Sequence, residues 1–311
     1  MWSILLSKLR LFCWPDGFLP EWKAGAQITL LELMRHMKQK GHDCVVYKEP
    51  GEQLGSIEGI RLTNNFDETA DADLVIAQGP NVEKKVGLAS RYNKPLLFIK
   101  HTVRKLKIPK YVYMVYNAHS TWNMFRNTYP NESIVVHPPV DKAKYKVDSF
   151  RTHITLINLN QNKGGHILAK IAEAMPDRKF LGVKGVYGDQ HGLFPSNVET
   201  IDTVSDMRDV YHRTKILLMP SKAETYGRTT VEAMSCGIPS ICDPLPGLIE
   251  SCSSSAMYAD RANIASYVEA IESMESNYNF WSHKALDRFE EIQELTYREL
   301  DSFEKFCMRI K

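Results

Sequence analysis

Short apolar runs alternate with amphipathic stretches along most of the chain. Runs at 10–14, 43–47, 74–77, 96–100, 112–116 and 133–137 have the length and composition of buried strands. Between the first two lies 27–40, where Ile28, Leu31, Met34 and Met37 recur on one helical face. Lys38, Lys40 and Gly41 form its C-terminal stop. The alternation restarts after Pro138-Pro139-Val140-Asp141, with strands predicted at 154–158, 179–183, 198–201, 216–219 and 240–242. Helices are predicted at 165–174, 205–212 and 228–236, and the chain beyond Asp260 is mostly helical, ending in 278–311. Apolar strands alternating with helices predict an α/β fold of two Rossmann-like, doubly wound parallel sheets. The expected division is 1–141, 142–278 and a terminal helix 279–311 that crosses back to the first domain, with polar 141–151 as linker. Ligands of such sheets bind outside the carboxyl ends of the strands, here in a cleft between the two halves.

Composition narrows the class without naming it. At 311 residues and 43% apolar content, the chain supports two cores. The six cysteines include no C-x-x-C pair and read as buried free thiols. Met1–Leu6 is apolar, but Lys8 and Arg10 follow at once, and no run approaches the ~18 apolar residues of a membrane span. A cytoplasmic protein without a transmembrane segment is expected. Net charge is only +2, yet residues 84–131 hold ten Lys/Arg and no Asp or Glu. They are Lys84, Lys85, Arg91, Lys94, Lys100, Arg104, Lys105, Lys107, Lys110 and Arg126, interleaved with aromatics such as Tyr111 and Trp122. A solvated basic face or a polyanion-binding surface both fit this pattern.

Three helix entrances carry candidate chemistry. Pro220-Ser-Lys-Ala-Glu224-Thr-Tyr226-Gly227-Arg228-Thr229 leads from a buried strand into a helix. Gly227 lets backbone approach a ligand, and the free amides of the first turn suit a diphosphate. Glu224 and Glu232 flank that turn and can accept hydrogen bonds from sugar-like hydroxyls. Asn158-Leu-Asn-Gln-Asn-Lys163-Gly164-Gly165 is a second strand-to-helix loop with a phosphate-neutralising lysine, although not a Walker loop. Lys23-Ala-Gly25-Ala26-Gln27 precedes the first helix, and His101 follows the run 96–100. Asp71-Ala-Asp73 looks like an Asp-x-Asp metal motif but directly precedes a strand, so no metal site is assigned.

Taken together these segments resemble glycosyltransferases of the GT-B fold, especially the large retaining family 4. The resemblance rests on Gly25-Ala26, Gly41-His42-Asp43, His101, Val136-His-Pro-Pro-Val-Asp141, Asn162-Lys-Gly164, Glu224-Thr-Tyr-Gly227, Glu232-Ala-Met, Gly237-Ile-Pro239 and Gly247-Leu-Ile-Glu250. It implies that Lys163 holds the donor diphosphate, Glu224 the transferred sugar and Glu232 the ribose. Amides from Gly227 to Thr229 would meet phosphate, Gly25 would approach it, and His101 would lie by the sugar. The base would rest against backbone near 183–188 and Val204. One departure stands out: the family often places Gly-Arg where this chain has Ile157-Asn158, and Arg228 is the candidate replacement cation.

The expected activity is therefore retaining, metal-independent transfer of a sugar, hexosyl or pentosyl, from a UDP- or GDP-sugar, with no other cofactor. Its acceptor hydroxyl would belong to a polyanion that contacts the basic stretch from Lys84 to Arg126: a hydroxylated DNA base first, then an anionic lipid or glycan. A sugar-nucleotide epimerase of the same fold and a non-catalytic nucleotide-sugar-binding module are the competing readings.

Overall fold

The computed structural model describes residues 8–15, 24–51, 54–147 and 151–311. The apolar run Met1–Leu6, Lys23 and positions 148–150 of the expected linker lie outside them. The chain divides into two compact units, 1–139 with 296–311, and 140–295.

The first unit is built on an eight-stranded sheet. In chain order its elements are β1 (Arg10–Trp14), α1 (Gly25–Gln39), β2 (Asp43–Tyr47), β3 (Ser56–Ile57), β4 (Ile60–Thr63), β5 (Leu74–Gln78), α2 (Val82–Arg91), β6 (Leu96–Lys100), β7 (Tyr113–Tyr116), α3 (His119–Phe125) and β8 (Ser133–Val135). The strand order is β3-β4-β2-β1-β5-β6-β7-β8. All pairings are parallel except the β3–β4 hairpin. Both faces of the sheet are covered, which is why its strands are continuous apolar runs rather than alternating ones. Leu11 and Cys13 of β1 join a cluster with Leu30, Leu33 and Met37 of α1. Phe12 and Trp14, on the other face, join Tyr47, Leu88 and Phe66.

The second unit is a six-stranded parallel sheet. Its elements are β9 (His153–Ile157), α4 (Gly165–Ala174), β10 (Phe180–Val183), β11 (Val198–Ile201), α5 (Arg208–Tyr211), β12 (Thr214–Met219), α6 (Arg228–Ser235), β13 (Ser240–Cys242), α7 (Pro246–Cys252), β14 (Ala256–Tyr258) and α8 (Ile264–Ser276). The order β11-β10-β9-β12-β13-β14 is the doubly wound pattern, reversing between β9 and β12. The last helix, α9 (Tyr278–Ile310), is 33 residues long and gives its final turns to the first unit. There Leu300, Phe303, Phe306 and Ile310 recur every three or four residues and are buried. Each such side chain contributes about 1.5–3 kcal/mol of burial.

Several sequence expectations shift. Helix α1 begins at Gly25, so Gly25 and Ala26 lie inside its first turn rather than before it. The stretch 141–151 is not an open polar linker where it is described. Asp141 accepts from the Ala143 amide at 3.0 Å, a short turn follows, and Tyr145 is buried. The β3–β4 hairpin, α2, α3, α7 and β14 are too short or too weakly periodic to be read from the pattern. All six cysteines are free and buried. Among the described residues no helix is long and apolar enough to cross a membrane.

Candidate active site

The reversal between β9 and β12 brings together the loops that leave their carboxyl ends. These are 158–164, entering α4, and 220–227, entering α6. Such a switch point opens a crevice because the two connections depart to opposite faces of the sheet.

The first loop is shaped by backbone that few residues tolerate. Asn158 adopts φ 72°, a left-handed conformation that asparagine accepts more readily than most residues. Its amide donates to Val183 O at 2.8 Å, and its Oδ1 accepts from the Asn160 amide at 3.2 Å. Asn160 Oδ1 in turn accepts from the Lys163 amide at 2.9 Å, which fixes the lysine's place on the loop. Gly164 (φ 96°) starts α4 so close to Pro220 that a Cβ would stand 2.7 Å from its Cγ. At Gly165 a Cβ would stand 2.1 Å from Leu159 O. The Lys222 amide donates to Asn162 O at 2.7 Å and ties the two loops together.

On the second loop, Glu224 pairs with the Lys163 ammonium and also accepts from Ser221 Oγ at 3.0 Å. Both side chains are only partly buried, so the pair stands at the crevice rather than in the core. Burial alone would depress the Lys163 ammonium. Glu224, with Tyr187 adding to it, carries the pKa above the ordinary lysine value, and Lys163 stays charged. Gly227 (φ 84°) caps α6, with Leu248 of α7 placed 2.4 Å from where a Cβ would stand. Thr229 is half-buried beside it, whereas Tyr226 is buried.

Glu232, which the resemblance assigns to the ribose, forms hydrogen bonds inside the second unit. It is 6% exposed, and both carboxylate oxygens are engaged within the protein. Oε1 accepts from Arg228 Nε at 2.8 Å and from Tyr145 OH at 3.1 Å; Oε2 accepts from Tyr211 OH at 2.7 Å. Arg228 is likewise buried, and its Nη2 donates to Tyr145 OH at 3.2 Å. The guanidinium therefore faces the Glu232 carboxylate. Val204 packs with Val183, Val210 and Met207.

The sequence reading missed Tyr145, Tyr211 and Gln190. Gln190 Oε1 accepts from the Leu159 and Gly185 amides at 2.8 and 2.9 Å and clasps the first loop to the one after β10. A Cβ at Gly185 would stand 2.2 Å from Asn158 Cγ. Tyr145 and Tyr211 lie 87 and 21 residues from Glu232, and Gln190 lies 31 from Leu159. The resemblance marked backbone 183–188, including Gly185, but no local signal marked Gln190. A surface pocket of about 680 Å³, lined by His153, Arg178, Lys179 and Arg213, lies elsewhere, at the amino ends of β9–β11.

In the first unit, His101 directly follows β6, and its Nε2 bonds Gln78 Oε1 at 2.9 Å. Burial lowers its pKa to about 4, so the ring is neutral near pH 7. Gly25 O accepts from Thr29 Oγ1 at 2.7 Å, and α1 has no side-chain cap, leaving first-turn amides without that partner. Two of the ten basic residues between Lys84 and Arg126 are not surface charges. Lys85 bonds Pro80 O, and Lys100 donates to Thr102 O and Arg104 O at 2.8 and 2.7 Å, both within the fold. Asp73 Oδ2 accepts from the Arg10 amide at 2.8 Å, and Asp71 pairs with Arg10 at 3.3 Å, at the amino end of β5.

Residues 161–277 match the family model described as glycosyl transferases group 1. That matched segment lies within the second unit and is similar to group 1 glycosyltransferases. No curated protein matches this chain in sequence. Its fold is similar to that of sucrose-phosphate synthase from Thermosynechococcus elongatus (TM-score 0.77, 10% identity, covering 96% of this chain and 98% of that one). It is also similar to Anabaena HepE solved with UDP-glucose (TM-score 0.76, 14% identity, 96% and 98%). A glycosyltransferase from Rickettsia africae is a third neighbour (TM-score 0.74, 15% identity, 97% and 98%). These similarities place the chain in the GT-B fold.

Proposed function

We propose that this protein is a glycosyltransferase that takes its sugar from a nucleoside-diphosphate sugar, UDP or GDP in the donor, and transfers it with retention of anomeric configuration and without a metal. The observation that carries this reading is the Lys163–Glu224 pair at the β9/β12 switch point, beside the glycine-capped start of α6. A lysine ammonium and first-turn amides form a site for a diphosphate, and a carboxylate suits sugar hydroxyls. On donor binding the diphosphate takes over the Lys163 ammonium. That frees Glu224 for the hydroxyls of the transferred sugar. Gly164, Gly227 and Thr229 contribute backbone to the phosphates, and Asn158 and Val204 border the nucleoside. Charge on the departing diphosphate is then stabilised by fixed donors. The leaving phosphate oxygen accepts the acceptor proton, so no separate base is required.

In the first unit the proposal gives Gly25 and Ala26 a backbone contact to an anion. It gives neutral His101 a hydrogen bond to a sugar hydroxyl. The acceptor is read as polyanionic, with a hydroxylated DNA base ahead of an anionic lipid or glycan. Its support is the loop after β6, where Arg104, Lys105, Lys107 and Lys110 are exposed and form no ion pair among the described residues. Tyr111 on the same loop is 67% exposed and offers a ring to a displaced base.

The test is donor turnover in purified protein. Thermal shifts against UDP- and GDP-sugars identify the donor. Lys163→Ala and Glu224→Ala are each expected to lower transfer by about 10²–10³-fold with the unfolding midpoint little changed. Full activity in both variants overturns the site.

A further inference from the structure

We propose a transition-metal site in the first unit, formed by His119, His137 and Glu299, that takes zinc or a similar borderline divalent ion. All three residues belong to that unit, and their ligand atoms lie within 4.8 Å of one another. His137 stands two residues beyond β8 and is buried; Glu299 reaches it from α9 and is buried too. His119, the first residue of α3, is exposed and gives an ion a way in.

The geometry is that of a carboxylate and an imidazole already aligned. Glu299 Oε2 accepts from the His137 amide at 2.8 Å, while Oε1 stands 2.8 Å from His137 Nδ1. The amide contact fixes the carboxylate as an outer partner does around a metal. It leaves Oε1 and Nδ1 facing each other. Two ligands at ~2.0–2.1 Å on a tetrahedral ion stand about 3.3 Å apart. An ion enters that gap with a separation of roughly half an ångström, and the Nδ1 proton leaves to solvent. The His119 ring, whose centroid is 5.6 Å from that of His137, supplies the third ligand. Two histidines and one glutamate leave one position open to water, and nitrogen–oxygen ligation suits zinc better than calcium or magnesium. Its bound ion would clamp the α9 segment to the end of β8 inside the first unit. The proposal does not rest on the donor reading, which uses none of these three residues.

Chelator-treated full-length protein is titrated with zinc alone, followed by equilibrium dialysis and thermal unfolding, and with cobalt alone, followed by visible absorption. The expected result is one ion per chain at micromolar concentration, a raised unfolding midpoint and a tetrahedral cobalt spectrum. His119→Ala, at an exposed position, is expected to weaken binding at least tenfold; Glu299→Gln, which keeps an oxygen for the His137 amide, does the same. Absence of binding at about 100 micromolar zinc overturns the site, as does unchanged affinity in both variants. Loss of binding in His36→Ala but not in His119→Ala also overturns it and moves the ion to the cluster of His36, Asp301 and Glu304.

Discussion

The carboxyl edges of the two sheets make an instructive pair. Counting parallel strands, both sheets run outward from their first strand and reverse beside it, between β1 and β5 in one unit and β9 and β12 in the other. In the second unit the edge is crowded and its charges are paired: Lys163 with Glu224, Arg228 with Glu232. Glycines stand where no Cβ fits. In the first unit the edge carries a neutral histidine on Gln78 and a loop of exposed cations. Topology alone therefore does not set the chemistry; the loops do. A site that must hold one diphosphate in one pose needs preorganised partners. A surface that gathers a polyanion needs only uncompensated charge.

The largest expected effect breaks the crowded edge. Gly165→Ala sets a Cβ 2.1 Å from Leu159 O and 2.8 Å from His191 Cβ. Backbone has to move, at a cost of about 3 kcal/mol or more. Gly87→Ala, in α2 of the first unit, meets nothing within 4 Å and has no positive φ. There the helix gains about 0.5–1 kcal/mol. Thermal unfolding of both variants checks the contrast, and equal midpoints would deny it.

The next effect concerns the open edge. Replacing Arg104, Lys105, Lys107 and Lys110 with serine removes four exposed cations. If all four meet phosphates, the log–log salt slope of duplex DNA binding falls by about 3–4. Donor affinity should be unaffected. A wild-type protein that ignores DNA at low salt removes DNA from the acceptor reading.

A smaller effect probes why the second unit pairs its charges. Tyr211→Phe leaves Glu232 Oε2 without its 2.7 Å donor inside the fold. The expected cost is about 1–3 kcal/mol. Because α6 carries both Glu232 and the turn proposed to meet the donor phosphates, donor affinity should fall along with stability. Arg213→Lys at the more exposed Glu199 pair is the control, with a change below about 1 kcal/mol.

What the sequence made legible follows the range of the interactions. Lys163-Gly-Gly165 and Glu224 to Gly227 were readable because a strand, a glycine and a helix start are local signals. The sheet class was readable because strands buried on both faces are continuously apolar. The partners of Glu232 were not legible because Tyr145 and Tyr211 lie 87 and 21 residues away. The start of α1 was displaced because Ala24, its N-cap, has no capping side chain. Lys85 and Lys100 were counted with the surface because a run of basic residues does not reveal which ones turn inward.

The weakest effect is expected at His101, and it sharpens what neutral means at the open edge. Burial lowers its pKa from 6.5 to about 4. Between those values the unfolded chain binds the proton and the folded chain does not. His101 therefore contributes stability that is fully present above about pH 6.5 and is lost as pH falls toward 4. Across pH 5–8 the ring stays a neutral hydrogen-bonding group, and the pH–rate profile should carry no inflection from it. His101→Asn should lower the rate while leaving the profile's shape alone. An inflection near pH 6.5 that the substitution abolishes would mean the ring titrates as an ordinary solvated histidine. The open edge would then hold a switchable charge beside its fixed cations, and the contrast with the paired charges of the second unit would no longer be one of fixed against fixed.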